Sequence, residues 1–326
     1  MSLSIALENC QSGDASTEAV AIAISILEDF EFTNAGYGSN LNFEGEVECD
    51  ALLMSGKDGH FGAIGACSGV KNPIQLAHKL LMDTRKGSLS LGRIRPVMLV
   101  GRGAWNYAKR NNIPCAQEEK DCGQFLVSPS ACEKWGKYKK RLEQANEKEQ
   151  VDPFIMQDTV GAVCVDLTGN FSAGVSSGGI AMKQMGRIGE AALFGAGCWA
   201  SNALCCASSC SGTGESIMLS LLAKKSVELL SSEEMPEVAL NTLFKVHLKS
   251  YLPQELNPNN LYPNYAGVIA VKKIENSSAN EFEVAWVHNT QSFAVGYQSN
   301  KMKDAIAFVN YAQNNSKDAH IGVSKL

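Results

Sequence analysis

Asp158 and Thr159 stand where a charged, polar stretch gives way to TVGAVCVDL, an apolar run typical of a buried strand. Cleavage of the peptide bond between them would free the α-amine of Thr159 beside its own hydroxyl group. A threonine hydroxyl is a poor nucleophile until a base removes its proton, and an N-terminal amine can be that base. Such an amine has a pKa of roughly 7.7–8.0, which suits proton transfer near neutral pH. The pair therefore predicts a chain that cuts itself and then uses Thr159 as its nucleophile.

The histidines argue against a hydrolase with a serine, histidine and aspartate triad. All five lie in sequence contexts without a nucleophile motif. A threonine that opens a strand is, however, usually only a β-branched strand residue. The nucleophile prediction therefore depends on the elements and motifs around Thr159.

The elements that must position Thr159 begin with a β-hairpin directly after it. The run 159–167 and the run FSAGVSS are joined by Thr168-Gly169-Asn170, a typical hairpin turn. Helices are predicted at 17–28, from Asn72-Pro73 to 84, and at 103–111, 215–230 and 236–249. Further strands are predicted in the later half of 33–56, at 61–65 and 96–100, and in GVIAVKK, EFEVAWVH and SFAVGYQS. This mixture predicts an α+β protein in which helices cover sheets.

Residues 142–157 are predicted to form an exposed linker, because the charged sequence there lacks a continuous apolar face. The linker divides one domain into two halves, 1–158 and 159–326. The basic run at 137–141 is compatible with a nuclear-localisation signal, but a solvated helix face is the favoured interpretation. Residues 178–197 are expected to form a glycine-rich loop.

The composition is that of an ordinary globular chain, with 326 residues of which 45% are hydrophobic and 19% charged. A net charge of −5 leaves no broad positive surface for nucleic acid or an anionic membrane, so neither is an expected partner. We recognise no signal peptide and no apolar stretch long enough to span a bilayer. An intracellular protein, in the nucleus or the cytoplasm, is therefore expected.

The eleven cysteines are odd in number and lie in apolar surroundings, which indicates reduced thiols rather than a disulfide framework. Cys198, Cys205, Cys206 and Cys210 cluster together but contain no CxxC pair. Packed thiols are therefore favoured over a metal site. No metal or other cofactor is expected.

The run DTVGAVCVDLTGNFSAGVSSGGIAMKQMGRIGEAALFGAGCWA resembles the start of the β-subunit in the type 2 asparaginase and threonine aspartase superfamily. The runs TNAGYGSNLNFEGEVECDA, SGVKNP and LGRIRPVMLVGRGAW resemble the α-subunit of the same superfamily. The resemblance implies an N-terminal-nucleophile hydrolase with a four-layer αββα sandwich. It also implies α and β subunits cut from one chain, and a dimer of such αβ units. Members generally begin with a strand carrying a VHxGAG-like motif, and this sequence starts after it, so one strand fewer is expected.

The resemblance also implies roles for the residues of the self-cleavage site. Thr159 matches the nucleophile, and Asp158 matches the residue whose carbonyl group is attacked. Ser177 matches the hydroxyl that supports the nucleophile. Asparaginases usually place threonine at this position, whereas threonine aspartases place serine.

Further residues match the substrate-binding groups of the superfamily. Arg187 matches an arginine that binds a substrate carboxylate, for which a guanidinium fork is suited. Ser211 and Gly212 match the loop whose hydroxyl and backbone N–H form the oxyanion hole. Asn34 matches an active-site asparagine. Glu190 takes a position where asparaginases carry aspartate, to hold the α-amino group of a small substrate, and threonine aspartases carry glutamine.

Three functions remain open on the sequence alone. The favoured one is a threonine-type endopeptidase that cuts protein substrates after aspartate, which Ser177 supports. The alternative is a small-molecule amidohydrolase, an asparaginase or isoaspartyl dipeptidase, which Glu190 supports. The third is an inactive relic that never cuts itself, because the expected first strand is missing.

Overall fold

The computed structural model describes residues 15–144, 159–251, 264–274, 281–312 and 319–326. Thr159 is the first described residue of its range, so Asp158 lies outside the described residues. Residues 145–157 of the predicted linker also lie outside them. Residues 142–144 are exposed and form the end of a helix that continues to Gln144.

The first of two five-stranded sheets contains the strands around Thr159. Its order is β3-β2-β1-β5-β4, and all neighbours are antiparallel except β2 and β3. The central pair, β1 and β5, runs from Asp50 opposite Ser177 to Ser55 opposite Ser172. The pairing thus joins a strand before Thr159 to a strand after it. The strands are β1 (Cys49–Ser55), β2 (Phe61–Cys67), β3 (Met98–Val100), β4 (Val160–Val165) and β5 (Phe171–Ser177).

The second five-stranded sheet has the order β12-β9-β8-β7-β6, with every pair antiparallel. A separate hairpin, β10 with β11, completes the described strands. The strands are β6 (Cys198–Ser201), β7 (Cys206–Gly212), β8 (Ala266–Lys273), β9 (Phe282–His288), β10 (Ser292–Tyr297), β11 (Ile306–Tyr311) and β12 (His320–Lys325).

Helices pack against each of the two five-stranded sheets. The helices are α1 (Ala15–Glu28), α2 (Pro73–Thr84), α3 (Gly101–Arg110), α4 (Pro129–Gln144), α5 (Gly214–Ser220), α6 (Leu222–Ser232), α7 (Pro236–Thr242) and α8 (Leu248–Ser250). A π-helical turn, Leu243–His247, connects α7 to α8. Among the described helices, none is long and apolar enough to cross a membrane.

Apolar layers hold these elements together. Helices α1 and α2 pack on the first sheet, where Ile24 and Leu80 are fully buried. A second apolar cluster joins residues of both sheets, among them Phe171 of the first and Val271 of the second. Helices α6 and α7 cover the second sheet around Leu222. Each fully buried side chain of this kind contributes roughly 1.5–3 kcal/mol to the free energy of unfolding. The mixture of helices and sheets confirms the predicted α+β class.

One carboxyl group lies inside the layer between α1, α2 and β5. Glu28, at the end of α1, accepts hydrogen bonds from the Ile74 amide at 3.0 Å and from Ser176 Oγ at 2.6 Å. Its other oxygen, Oε2, is buried without a hydrogen-bond partner among the described residues. Burial raises the pKa of Glu28 to about 8, so the carboxyl group is mostly protonated at neutral pH.

Several predicted elements are confirmed, and others differ for local reasons. The hairpin after Thr159 and the helix after Asn72 form as predicted. The helix predicted at 215–230 is two helices, because Leu221 takes a left-handed conformation with φ of 47° between them. Strands β6, β7, β11 and β12 were not predicted, and β7 consists of small residues with a weak apolar signal. The ten cysteines within the described ranges are free thiols, and six of them are buried.

Candidate active site

The β4–β5 hairpin brings Thr159 and Ser177 together. Because the strands are antiparallel, with Val160 opposite Ser176, the residue before β4 lies beside the last residue of β5. Thr159 Oγ1 and Ser177 Oγ are 2.9 Å apart. The eighteen-residue spacing in the sequence is therefore a direct contact, as the nucleophile and its supporting hydroxyl require.

A turn after β5 fixes the direction of the Ser177 hydroxyl. Ser177 Oγ accepts a hydrogen bond from the Gly179 amide at 3.0 Å. Asn34 holds the same turn through two hydrogen bonds. Its side-chain Nδ2 donates to the Gly179 carbonyl at 2.7 Å, and its backbone carbonyl oxygen accepts from the Gly178 amide at 2.8 Å. Asn34 thus lies in the site, and its contacts in the intact chain are with this turn.

Glu190 is the second partner of the Thr159 hydroxyl. Thr159 Oγ1 donates to Glu190 Oε1 at 3.2 Å. Glu190 is the first residue of a 3₁₀ turn, Glu190–Ala192, and is only 3% exposed. Burial raises the pKa of Glu190 to about 7, and the nearby Arg187 charge opposes that rise. Glu190 can therefore both accept and release a proton near neutral pH.

Arg187 presents part of its guanidinium group to the same site. Its Nε and Nη2 both donate to one oxygen of Glu215, at 3.0 and 2.7 Å. A methyl group built on Gly179 would lie 3.1 Å from Arg187 Nη1, and one built on Gly189 would lie 2.8 Å from it. Glycine at these positions leaves room for Nη1. The edge formed by Nη1 and Nη2 can therefore receive a carboxylate while Glu215 holds the other edge.

Asp50 and Lys183, which the sequence did not point to, support this arrangement. Asp50 is fully buried on β1, and its two oxygens accept hydrogen bonds from the amides of Ala66 and Gly189, both at 2.8 Å. The buried Lys183 ammonium donates to the Glu48 carbonyl at 2.7 Å. Asp50 thereby anchors the loop that carries Arg187 and Glu190. An aspartate in the apolar run CDALLMS was the signal available in the sequence.

A small pocket gathers most of the predicted site residues. Ser211 does not line it, although it directly precedes Gly212 at the end of β7. Gly212 has a φ of 141°, and a side chain there would meet the Tyr265 carbonyl. Within the described ranges, no group of three or more His, Cys, Asp or Glu side chains is arranged to hold a metal ion. The lining residues are Asn34, Thr159, Ser177, Gly179, Ile180, Arg187, Glu190, Gly212 and Gly214.

Comparison with known proteins gives this pocket a family context. A sequence profile described as Asparaginase matches residues 2–306. The chain belongs to this asparaginase family. Its mixed α+β architecture fits the fold of N-terminal-nucleophile hydrolases, as the family resemblance of the motifs predicted.

Individual members of the asparaginase family match most of the chain. An isoaspartyl peptidase/L-asparaginase of Bos taurus is 33% identical over 301 residues, which cover 91% of this chain and 85% of that protein. One of Xenopus laevis is 35% identical, covering 70% of this chain and 67% of that protein. A plant-type L-asparaginase of Pyrococcus horikoshii is 29% identical, covering 90% and 86%. These names favour the small-substrate alternative over the endopeptidase, and the finer resemblance to threonine aspartases stays a prediction.

Proposed function

We propose that this member of the asparaginase family is a threonine-type amidohydrolase acting on small β-aspartyl amides, L-asparagine and β-aspartyl dipeptides. The observation that carries the proposal is the placement of Arg187 and Glu190 in one pocket with the Thr159 hydroxyl. A free amino acid carries a carboxylate and an ammonium group on the same carbon. The guanidinium suits the former and the Glu190 carboxylate the latter. The relatives named isoaspartyl peptidase/L-asparaginase support the same substrate class.

The proposed mechanism begins after the peptide bond between Asp158 and Thr159 has been cut. Thr159 Oγ1 attacks the substrate amide carbon, while the free α-amine of Thr159 takes the hydroxyl proton and passes it to the leaving nitrogen. The amide of Gly212, a residue that lines the pocket, stabilises the oxyanion, and Ser177 holds the nucleophile in place. Water then hydrolyses the ester on Thr159. The αββα sandwich, the dimer of αβ units and the intracellular location belong to the same proposal.

An endopeptidase that cuts after aspartate is the second candidate. It is favoured by Ser177, whose hydroxyl lies 2.9 Å from Thr159 Oγ1, because threonine aspartases place serine there. Arg187 suits the side-chain carboxylate of an aspartate as well as an α-carboxylate. An aspartate inside a polypeptide, however, has no α-ammonium group for Glu190. The buried Glu190 carboxyl would then face the substrate without a charged partner, which is unfavourable.

The two candidates are separated by their substrates. We expect purified protein to release ammonia from L-asparagine and aspartate from a β-aspartyl dipeptide, and to leave a peptide with an internal aspartate–glycine bond intact. Thr159→Ala removes the nucleophile and is expected to abolish both the activity and the cleavage of the chain, measured by ammonia assay and denaturing electrophoresis. Cleavage of the aspartate–glycine peptide alone would overturn the small-substrate proposal.

A further inference from the structure

The intact chain lacks the base that the mature enzyme uses. Before cleavage the nitrogen of Thr159 belongs to a peptide bond, and an amide nitrogen does not accept a proton at neutral pH. The first cut nevertheless requires that a proton leave Thr159 Oγ1. Another group must accept it, and that group must be within hydrogen-bonding reach of Oγ1.

Two side chains are hydrogen-bonded to Thr159 Oγ1 within the described ranges, those of Ser177 and Glu190. Ser177 is an alcohol, and its oxygen already accepts a hydrogen bond from the Gly179 amide. It can orient the nucleophile but is too weak a base to remove the proton. Glu190 Oε1 accepts the Thr159 hydroxyl hydrogen directly, at 3.2 Å, so the geometry for transfer already exists.

We infer that Glu190 is the general base of self-cleavage, taking the Thr159 hydroxyl proton before any N-terminal amine exists. The inference rests on the proposed role of Thr159 as nucleophile. It gives Glu190 a task in the intact chain that precedes the substrate binding proposed for it in the mature enzyme. The two tasks follow each other in time, so one carboxylate can serve both.

The surroundings of Glu190 suit a group that first takes and then returns a proton. Burial raises its pKa to about 7, the Asp50 charge acts in the same direction, and the Arg187 charge opposes both. Glu215 lies behind Arg187 as its ion-pair partner. At neutral pH a substantial fraction of Glu190 is therefore ionised and able to accept a proton, and the protonated form is acidic enough to give it back.

The backbone opposite Glu190 keeps its carboxyl group in place. A methyl group built on Gly214 would lie 2.6 Å from Glu190 Oε2 and 2.8 Å from Arg187 Nη2. The bare glycine thus leaves just enough room for the carboxyl group beside the guanidinium. Oε1 is consequently the oxygen directed to the nucleophile.

The proposed steps balance in atoms and electrons. Glu190 takes the proton from Thr159 Oγ1 as that oxygen bonds to the carbonyl carbon preceding Thr159. The tetrahedral adduct collapses when the carbon–nitrogen bond breaks, and Glu190 returns its proton to the Thr159 nitrogen. An ester and a free amine result. Water then splits the ester, giving its OH to the acyl carbon and its hydrogen to Oγ1, and water is the sole co-reactant.

The test follows cleavage of full-length chains made by cell-free translation, sampled over time on denaturing gels. Wild type and Glu228→Gln, a half-exposed surface glutamate on α6, are expected to split at the same rate. Glu190→Gln keeps the shape of the side chain but cannot accept the proton. This variant is expected to split at least about 100-fold more slowly than wild type. Splitting of Glu190→Gln at the wild-type rate would overturn the inference.

Two further measurements separate a base from a merely structural residue. The wild-type cleavage rate is expected to rise about tenfold per pH unit below pH 7 and to level off above it, as a base requires. In Glu190→Ala, added formate is expected to restore cleavage in a saturable manner, while Thr159→Ala stays intact in formate. A folded Glu190→Ala chain that formate does not rescue would contradict the base role.

Failure of the inference differs visibly from failure of the proposed function. If wild type never splits, the nucleophile assignment falls and Glu190 with it. If wild type splits, Glu190→Gln does not, and the mature protein hydrolyses neither L-asparagine nor a β-aspartyl dipeptide, the substrate proposal alone fails. If Glu190→Gln splits normally and wild type hydrolyses L-asparagine, the base inference alone fails.

Discussion

Arg187 is held from one side and open on the other. Glu215, whose side chain is 53% exposed, binds the Nε edge of the Arg187 guanidinium group, and the Arg187 side chain as a whole is 14% exposed. An arginine fixed in this way loses little conformational freedom when a carboxylate binds to its second edge. Glu215 therefore acts as a positioning residue for the proposed carboxylate site.

Replacement of Arg187 by alanine is expected to weaken substrate binding more than it slows the chemical step. KM for L-asparagine should rise about 100-fold, because a charge-assisted, two-point contact is lost. Loss of the positive charge also raises the pKa of Glu190 further, which moves the pH profile of self-cleavage upward. Steady-state kinetics and the gel assay measure the two effects. Arg102→Ala, which removes an exposed arginine paired with Glu119, is the matched control and should change neither.

Gly214→Ala is expected to damage the site without unfolding the protein. The added methyl group would press on both Glu190 Oε2 and Arg187 Nη2, at 2.6 and 2.8 Å, and one of the two charged groups must move. We expect kcat/KM for L-asparagine to fall at least about tenfold, as for a displaced catalytic group. Gly136→Ala on helix α4, where nothing lies within 4 Å of the added methyl group, is the control. Equal activity of both variants would contradict the packing argument.

The site residues that the sequence revealed are those whose chemistry is visible in a motif. Thr159 was singled out by its place before a strand, and Ser177 by the resemblance to the superfamily motifs. The β4–β5 hairpin explains why the two side chains meet. Asp50 was missed because its role depends on two backbone amides, of Ala66 and Gly189, that are far apart in the sequence. Glu215 was missed because a glutamate at the start of a helix is ordinarily explained by the helix dipole.

At the scale of elements, Glu28 connects three of them. It ends α1, accepts the Ile74 amide near the start of α2, and binds Ser176 on β5. Ser176 immediately precedes the Ser177 that contacts Thr159. The position of the supporting hydroxyl is therefore linked, through one strand residue, to the packing of two helices on the first sheet.

The protonation of Glu28 gives a pH dependence of stability with a definite sign. Its pKa is about 8 in the folded protein, against an ordinary value of 4.5. Between these values the folded chain holds one more proton than the unfolded chain, so its stability falls as pH rises. Glu28→Gln resembles the protonated acid and does not titrate. We expect its Tm to fall less than that of wild type between pH 5 and 8, measured by differential scanning calorimetry.

Other groups with raised pKa values contribute to the same trend, so the wild-type slope is not due to Glu28 alone. Asp50 and Glu190 are also buried acids whose pKa values lie above the ordinary range. The informative quantity is therefore the difference between the two slopes. Parallel Tm profiles for wild type and Glu28→Gln would show that Glu28 is ionised in the folded protein.

Helix α2 was predicted from a turn signal, whereas strands β6, β7, β11 and β12 were not predicted. Asn72-Pro73 starts α2 where the sequence places it, because proline favours the first helical turn. Strand β7 has the sequence CASSCSG and is almost entirely buried. Serine and cysteine give it little hydrophobic signal, and its strand structure depends on pairing with β6 and β8, which is tertiary information.

At the scale of the whole molecule, the first sheet spans the predicted cut. Strands β1, β2 and β3 precede Thr159 and β4 and β5 follow it, with β1 and β5 paired along six residues. The second half also supplies the other sheet, which packs on the first through Val271 and Phe171. Cleavage at one peptide bond breaks none of these contacts.

Both fragments are therefore expected to stay together after cleavage. Protein carrying an affinity tag on one half should retain the other half in equal amount through gel filtration under native conditions. The two should separate only in denaturant, because the shared sheet and its core must first unfold. Recovery of the tagged half alone from native buffer would contradict a sheet shared between the halves.

The central position of β1 also has a consequence for how the protein is made. All seven residues of β1 are buried, yet its neighbour β5 lies about 120 residues later in the chain and leaves the ribosome after it. Until then the nascent polypeptide exposes an apolar strand with one open edge, a feature that favours aggregation. A gene for residues 1–158 alone should thus yield insoluble protein, whereas simultaneous synthesis of both fragments should yield soluble protein.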